Sequence, residues 1–104
     1  MTPFLHCVFF WLREGVDEAA RAAFVEGLRG LGESSNVASC RVGVPAGSTR
    51  EVVDGSWDYQ LAIGFEGRAA HDRYQSGEDA VHAAFIARFR ELWQRVVVYD
   101  SVPV

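Results

Sequence analysis

The 104-residue sequence has few basic residues and no long apolar run. It carries 10 Lys and Arg against 14 Asp and Glu, which gives a formal net charge of −4. An acidic chain repels phosphate backbones, so nucleic acid is a poor candidate partner. Charged or polar residues interrupt every apolar stretch well short of membrane-spanning length, and the start lacks a secretory signal pattern. We therefore predict a cytoplasmic protein with no nucleic-acid partner and no membrane segment.

Several motifs that mark metal sites and enzyme classes are also missing. The two cysteines, Cys7 and Cys40, stand in apolar stretches, and no CxxC, HExxH or EF-hand spacing occurs. We predict buried free thiols and no metal site. The absence of Gly-x-Ser-x-Gly and of a glycine-rich phosphate loop after a strand disfavours nucleophilic hydrolysis and nucleotide binding. The sequence thus indicates no cofactor, although it leaves haem binding open.

Apolar residues are plentiful, at 49% hydrophobic and 12% aromatic, which is enough for one folded domain over residues 1–104. A helical period with a capping Asp17 follows the first apolar stretch, and strict alternation marks the third strand. These patterns predict the order β-α-β-β-α-α-β. Strands are predicted over 4–12, 37–44, 57–65 and 96–100. Helices are predicted within 13–32, starting at the Asp17 cap, and over 67–75 and 78–95.

This order predicts an α+β fold: a ferredoxin-like split βαβ domain with a four-stranded antiparallel sheet and helices on one face. The first strand is nevertheless apolar on both faces. One face carries Phe4, Val8 and Phe10, and the other carries Leu5, Cys7, Phe9 and Trp11. Because the helices cover only one face, we predict a symmetric homodimer with sheets packed face to face. The alternative is a monomer with aromatic residues exposed on the second face.

Four stretches carry a family resemblance: HCVFFWLRE, REVVDGSWDYQLAIGFEG, HDRYQ followed by VHAAF, and LWQRVVVYD. In order and spacing they resemble the stress-responsive A/B barrel family, or Dabb domains, over about Leu5 to Ser101. The resemblance implies ferredoxin-like protomers that form a dimeric α/β barrel, in a family whose biochemistry is mostly unassigned. One enzymatic relative, a plant polyketide cyclase, uses a tyrosine and a histidine of the helical region for aldol-type ring closure.

The resemblance also implies site residues. By position, Tyr74 and His82 match the catalytic tyrosine and histidine of the cyclase, and His6 matches a histidine on its first strand. Tyr59 stands where the cyclase has another histidine. Tyr74 and His82 are eight positions apart here, whereas many relatives have a shorter spacing that contains a proline.

Ring closure of this kind needs a base that removes a proton next to a carbonyl and a donor that stabilises the oxyanion. A histidine titrates near neutrality, so His82 is the candidate base. The hydroxyl of Tyr74 is the candidate donor. Apolar walls would exclude water and hold the substrate. The wall candidates are Phe24, Leu28, Trp57, Ile63, Phe85, Phe89 and Trp93.

Each of these residues also has a structural interpretation. His82 fits a boundary position with its ring hydrogen-bonded to backbone or water, and His6 fits a satisfied core histidine. Tyr74 is predicted to face the sheet, His71 to lie on the solvated surface, and Asp58 to accept a turn or interface hydrogen bond. Two hypotheses therefore remain open. The first is a stress-associated homodimer that binds small molecules in an apolar pocket, and the second is a cyclase-like lyase or isomerase acting on a small carbonyl compound.

Overall fold

The computed structural model describes residues 3–104, and its elements follow the predicted order β-α-β-β-α-α-β. None of the helices in this range is long and apolar enough to cross a membrane. Single 3-10 turns follow the first and third helices at Leu31–Glu33 and Arg90–Leu92. The main elements are β1 Phe4–Leu12, α1 Glu18–Gly30, β2 Ser39–Gly43, β3 Tyr59–Phe65, α2 Arg68–Gln75, α3 Ala80–Phe89 and β4 Trp93–Ser101.

The four strands form one antiparallel sheet in the order β2-β3-β1-β4. This arrangement confirms the predicted α+β, ferredoxin-like fold. β1 is central, and its His6 pairs with Ile63 on β3 and with Asp100 on β4. Directly paired residues of antiparallel strands point to the same face. The register therefore places the side chains of His6 and Asp100 next to each other.

The three helices pack on one face of the sheet. Phe24 of α1 contacts Phe10 of β1 at 5.2 Å between ring centroids, and Tyr74 of α2 lies edge-on to His6 at 6.2 Å. Even-numbered residues of β1 are buried under the helices, and odd-numbered ones are more exposed. Helix α1 begins as predicted, because Asp17 Oδ1 accepts a hydrogen bond from the backbone N–H of Ala20 at 2.8 Å.

The third helix ends earlier than its periodicity predicts. Residues 93–95 were expected to be helical, but the helix ends at Phe89 and Trp93 opens β4. Trp93 pairs with Leu12 across a register shift in β1, and its ring packs against Phe10 at 5.1 Å. Pairing with β1 and burial against Phe10 thus override a local helical pattern.

The opposite face of the sheet, which we call the outer face, is apolar and only partly covered. It carries Leu5, Phe9 and Trp11 of β1, and Val97 and Tyr99 of β4. Leu5 is 46% exposed and Tyr99 is 66% exposed.

The long connection between β2 and β3 returns across this outer face. Trp57 packs edge-on against Phe9 at 5.1 Å, and Trp11 Nε1 donates a hydrogen bond to Ser56 Oγ at 3.0 Å. The connection therefore lies on the side of the sheet opposite to the helices.

A close approach between α1 and α3 makes Gly27 sensitive to substitution. A Cβ atom at Gly27 would overlap the ring of Phe89, which is 4% exposed and packs against Phe24 and Phe85. We expect Gly27→Ala to lower the free energy of unfolding by about 1–3 kcal/mol, although alanine is the better helix former. Denaturant unfolding measures the change. Gly30→Ala is the matched control, because open space surrounds Gly30 in the same helix; equal stability of the two variants would contradict the prediction.

Candidate active site

Three elements bring His6, Tyr74 and His82 around one cavity of about 160 Å³ on the helix side of the sheet. Val96 and Val98 of β4 line the same cavity and are 42% and 43% exposed, so it opens beside β4. Two of the predicted wall residues, Phe85 and Trp93, also contribute. The remaining lining residues are Val8, Phe10, Leu31, Leu61, Gln75 and Ile86.

Tyr74 and His82 are direct neighbours, with ring centroids 4.4 Å apart. α2 ends at Gln75, and a turn with Gly77 at φ 90° connects it to α3. This φ favours glycine. The longer spacing between the two side chains is therefore taken up by the turn, and the pair stays in contact.

Burial shifts the pKa values of both side chains, Tyr74 and His82, towards their neutral forms. Tyr74 is 1% exposed, and burial together with the nearby carboxylate of Asp79 raises the pKa of its hydroxyl well above the usual range. The phenol therefore stays protonated and can donate a hydrogen bond. Burial lowers the pKa of His82 below 6.5, although Asp79 acts in the opposite direction. His82 is therefore mostly neutral at pH 7 and can accept a proton.

His6 is held by a carboxylate that the sequence did not suggest. Its ring is 3% exposed, and its Nδ1 lies 2.6 Å from Oδ1 of Asp100. Burial lowers the pKa of His6, and the hydrogen bond to Asp100 partly offsets this. An ionised carboxylate only accepts hydrogen bonds, so Nδ1 of His6 is the donor. Asp100 thereby fixes the orientation of a ring on the cavity wall.

Asp79 organises the other side of the pair. It is 8% exposed, and its Oδ1 accepts the backbone N–H of His82 at 3.0 Å, which caps α3. Its Oδ2 accepts the Ser34 hydroxyl at 2.5 Å and the Asn36 amide at 3.0 Å. These hydrogen bonds fix the first turn of α3, and with it the position of His82 beside Tyr74.

The other predicted lining residues lie outside the cavity. Phe24, Leu28 and Ile63 are fully buried in the core, and Phe89 packs beside them. Tyr59 packs against Phe24, with ring centroids 5.8 Å apart. Trp57 lies on the outer face, away from the three site residues. Helical and strand periodicity identified these side chains as inward-facing or apolar, but did not separate a closed core from a cavity wall.

The prediction for His71 was wrong, because it is 7% exposed rather than solvated. Its ring stacks on Phe4 of β1 at 4.1 Å, and α2 buries Ala70, His71 and Tyr74 together. A helix of eight residues can bury consecutive side chains when it packs closely on a sheet, which periodicity alone does not indicate. Asp58, by contrast, accepts the backbone N–H of Leu12 at 2.7 Å, as expected of a structural acceptor.

Comparison with known proteins identifies the family. The model described as the Stress Responsive A/B Barrel Domain, or Dabb, matches residues 4–103. The chain belongs to this family. No curated protein matches it.

Solved structures agree on the fold. A Dabb family protein with a ferredoxin-like fold from Mesorhizobium loti is 20% identical, with a TM-score of 0.78 over 100% of this chain and 99% of the other. A dimeric ferredoxin-like protein of unknown function from Thermobifida fusca is 16% identical, with a TM-score of 0.78 over 98% and 92%. The hydroxynitrile lyase of Passiflora edulis is 13% identical, with a TM-score of 0.83 over 98% and 94%. At these identities the likeness shows the Dabb fold alone.

Proposed function

We propose that this Dabb protein is a homodimer that binds a small carbonyl compound in the cavity and acts on it as a cofactor-free lyase or isomerase. The contact between Tyr74 and His82 on the wall of an apolar cavity carries this proposal. One side chain is a neutral base and the other is a protonated donor, and this is the pair that proton abstraction next to a carbonyl requires.

In the proposed reaction, the His82 ring takes a proton from the substrate while the Tyr74 hydroxyl donates a hydrogen bond to the oxygen on which negative charge develops. His6, oriented by Asp100, provides a further polar group on the same wall. The apolar lining excludes water and strengthens both interactions. No metal or organic cofactor takes part in these steps.

The cavity size favours a small substrate. At about 160 Å³ it is smaller than the ~300–1,000 Å³ pockets that hold drug-sized ligands. A compact ketone, aldehyde or hydroxynitrile therefore fits better than an extended polyketide. The neighbour from Passiflora edulis is a hydroxynitrile lyase with the same fold, which supports including hydroxynitriles and small carbonyl compounds among the test substrates.

The homodimer is supported by the outer face, where Leu5 and Tyr99 are exposed beside the half-buried Phe9. Patches of this kind mark interaction sites. The Thermobifida fusca neighbour is dimeric, and a second copy of the same sheet would bury the surface symmetrically.

The reaction is tested by incubating the wild-type protein with a panel of small aldehydes, ketones, 1,3-diketones and 2-hydroxynitriles, and following substrate loss and product formation. We expect turnover of at least one class, faster than the uncatalysed reaction, together with saturable binding. Saturable binding with no turnover across the panel would contradict the enzymatic proposal and favour the first hypothesis, a binding protein.

A further inference from the structure

A second cluster of polar side chains adjoins the cavity and shares His6 with its wall, but does not include the proposed base and donor. His6 of β1, His71 of α2 and Asp100 of β4 each offer one ligand atom, and these three atoms lie within 4.8 Å of one another. Asp100 stands between the two rings. Its Oδ1 is 2.6 Å from Nδ1 of His6, and its Oδ2 is 3.8 Å from Nε2 of His71.

His71 is poised as a ligand. Nδ1 lies 3.0 Å from Oδ1 of Asp72, a carboxylate that only accepts, so this nitrogen is the hydrogen-bond donor. The other ring nitrogen, Nε2, faces Asp100. Nε2 is buried, and no other group among residues 3–104 forms a hydrogen bond with it. A buried ring nitrogen without a hydrogen-bond partner is unfavourable, and a cation bound between it and the carboxylate oxygen 3.8 Å away would satisfy both groups.

We propose that His6, His71 and Asp100 bind a divalent first-row transition-metal ion. Two imidazoles and one carboxylate, with open positions for water, are a known ligand set for Zn²⁺ and Fe²⁺. Ligand atoms around a tetrahedral ion at ~2.0–2.1 Å are about 3.3 Å apart. The distances from Asp100 to the two rings, 2.6 Å at Oδ1 and 3.8 Å at Oδ2, lie on either side of this value, and all three ligand atoms are within 4.8 Å of one another, so side-chain movement would bring them around one ion.

The surroundings suit an ion as well. Asp72 holds the far nitrogen of His71, which is the arrangement that orients histidine ligands in metalloproteins. The side chain of Asp100 is 38% exposed, which gives the ion a path from solvent and leaves room for water ligands. On binding, His6 changes tautomer: its ring proton moves from Nδ1 to Nε2 through solvent, so the ring stays neutral and the Nδ1 lone pair is free for the ion.

Sequence patterns do not indicate this site, because its residues are far apart in the chain. Motif searches detect ligands at short fixed spacings, whereas residues 6, 71 and 100 come from three elements. The inference does not depend on the proposed function, since Tyr74 and His82 are not ligands. Metal binding and carbonyl turnover can therefore fail separately.

To test this, protein purified without a refolding step is treated with a chelator to remove bound metal. It is then titrated with Zn²⁺ alone, followed by calorimetry, and with Co²⁺, followed by visible absorption. We expect one ion per chain with micromolar or tighter affinity, and a Co²⁺ spectrum of four or five coordination. His71→Ala removes a ligand, so it should weaken binding by more than the ~10–100-fold that losing a residue which only orients a ligand costs. Asp100→Asn should also weaken binding. It keeps the shape of a partly exposed side chain, so it tests the proposal even if the His71→Ala variant folds poorly.

His82→Gln is the matched control, because the chain has three histidines and only this one lies outside the cluster. It should keep wild-type affinity for Zn²⁺. No saturable Zn²⁺ binding by the wild type would overturn the proposal. Binding that is unchanged in both His71→Ala and Asp100→Asn would overturn it too, since other groups such as the thiols of Cys7 and Cys40 would then hold the ion. Circular dichroism of each variant checks that it is folded.

Discussion

Replacing His82 with glutamine is expected to lower turnover of a small carbonyl substrate by about 10²–10⁴-fold, the usual contribution of a positioned general base. Glutamine keeps a polar side chain of similar length but cannot take up the proton. The His82 ring lies against Tyr74 at 4.4 Å and lines the cavity, so its loss removes the base without opening the core. Steady-state kinetics on the substrate found in the panel give the change in kcat and kcat/KM.

The partner substitution separates the two roles. Tyr74→Phe keeps a buried aromatic ring and removes only the hydroxyl, so we expect kcat to fall by roughly 10²–10³-fold, as for loss of one oxyanion donor. Because the base and the donor act in one transition state, the double variant should lose less than the product of the two single effects.

The pH dependence of kcat/KM is an independent test of His82 as the base. His82 must be neutral to act as a base, and burial lowers its pKa from 6.5. The loss of kcat/KM on acidification should therefore lie below pH 6.5 and be absent from the residual activity of His82→Gln. Glu78→Gln, an exposed position in the turn before α3, is the control and should keep wild-type rates. Wild-type turnover by His82→Gln, with the fold intact, would rule out this base.

The fold followed from local patterns because those patterns reflect which face of each element is buried. Alternation along 57–65 and the cap at Asp17 identified β3 and α1 from neighbouring residues alone. The end of α3 was different. Whether residues 93–95 extend a helix or begin a strand depends on β1, some 80 residues away, which supplies the pairing partners of Trp93 and Arg95.

The residues of the candidate site also fall into two groups, those that the sequence indicated and those that only the tertiary structure brings together. Family resemblance pointed to Tyr74, His82 and His6, and the structure places these three on one cavity. The carboxylates that hold them were missed. Asp100 reaches His6 only through the register of β1 with β4, and Asp79 looks in sequence like an ordinary helix cap.

Tyr99 is a strongly exposed side chain of the outer face, and a charge at this position tests the proposed interface. In the single chain its side chain is 66% exposed, so Tyr99→Glu costs the protomer little beyond its contact with Phe9. In a face-to-face homodimer the same position is buried next to the apolar outer faces of both copies. Two-fold symmetry then buries two uncompensated carboxylates, each at a cost of several kcal/mol.

We therefore expect the wild type to sediment at twice the chain mass of 11.5 kDa and Tyr99→Glu to sediment as a folded monomer at micromolar concentration. Ala84→Glu adds the same charge at an exposed position of α3, on the helix side, and should remain dimeric. A wild type that is monomeric at this concentration, or a Tyr99→Glu variant that dimerises as well as Ala84→Glu, would show that the outer face is not the interface. A folded monomer would also show whether the cavity works alone, because its lining comes from the helix side of one chain, with His6, Tyr74 and His82 all on the same protomer.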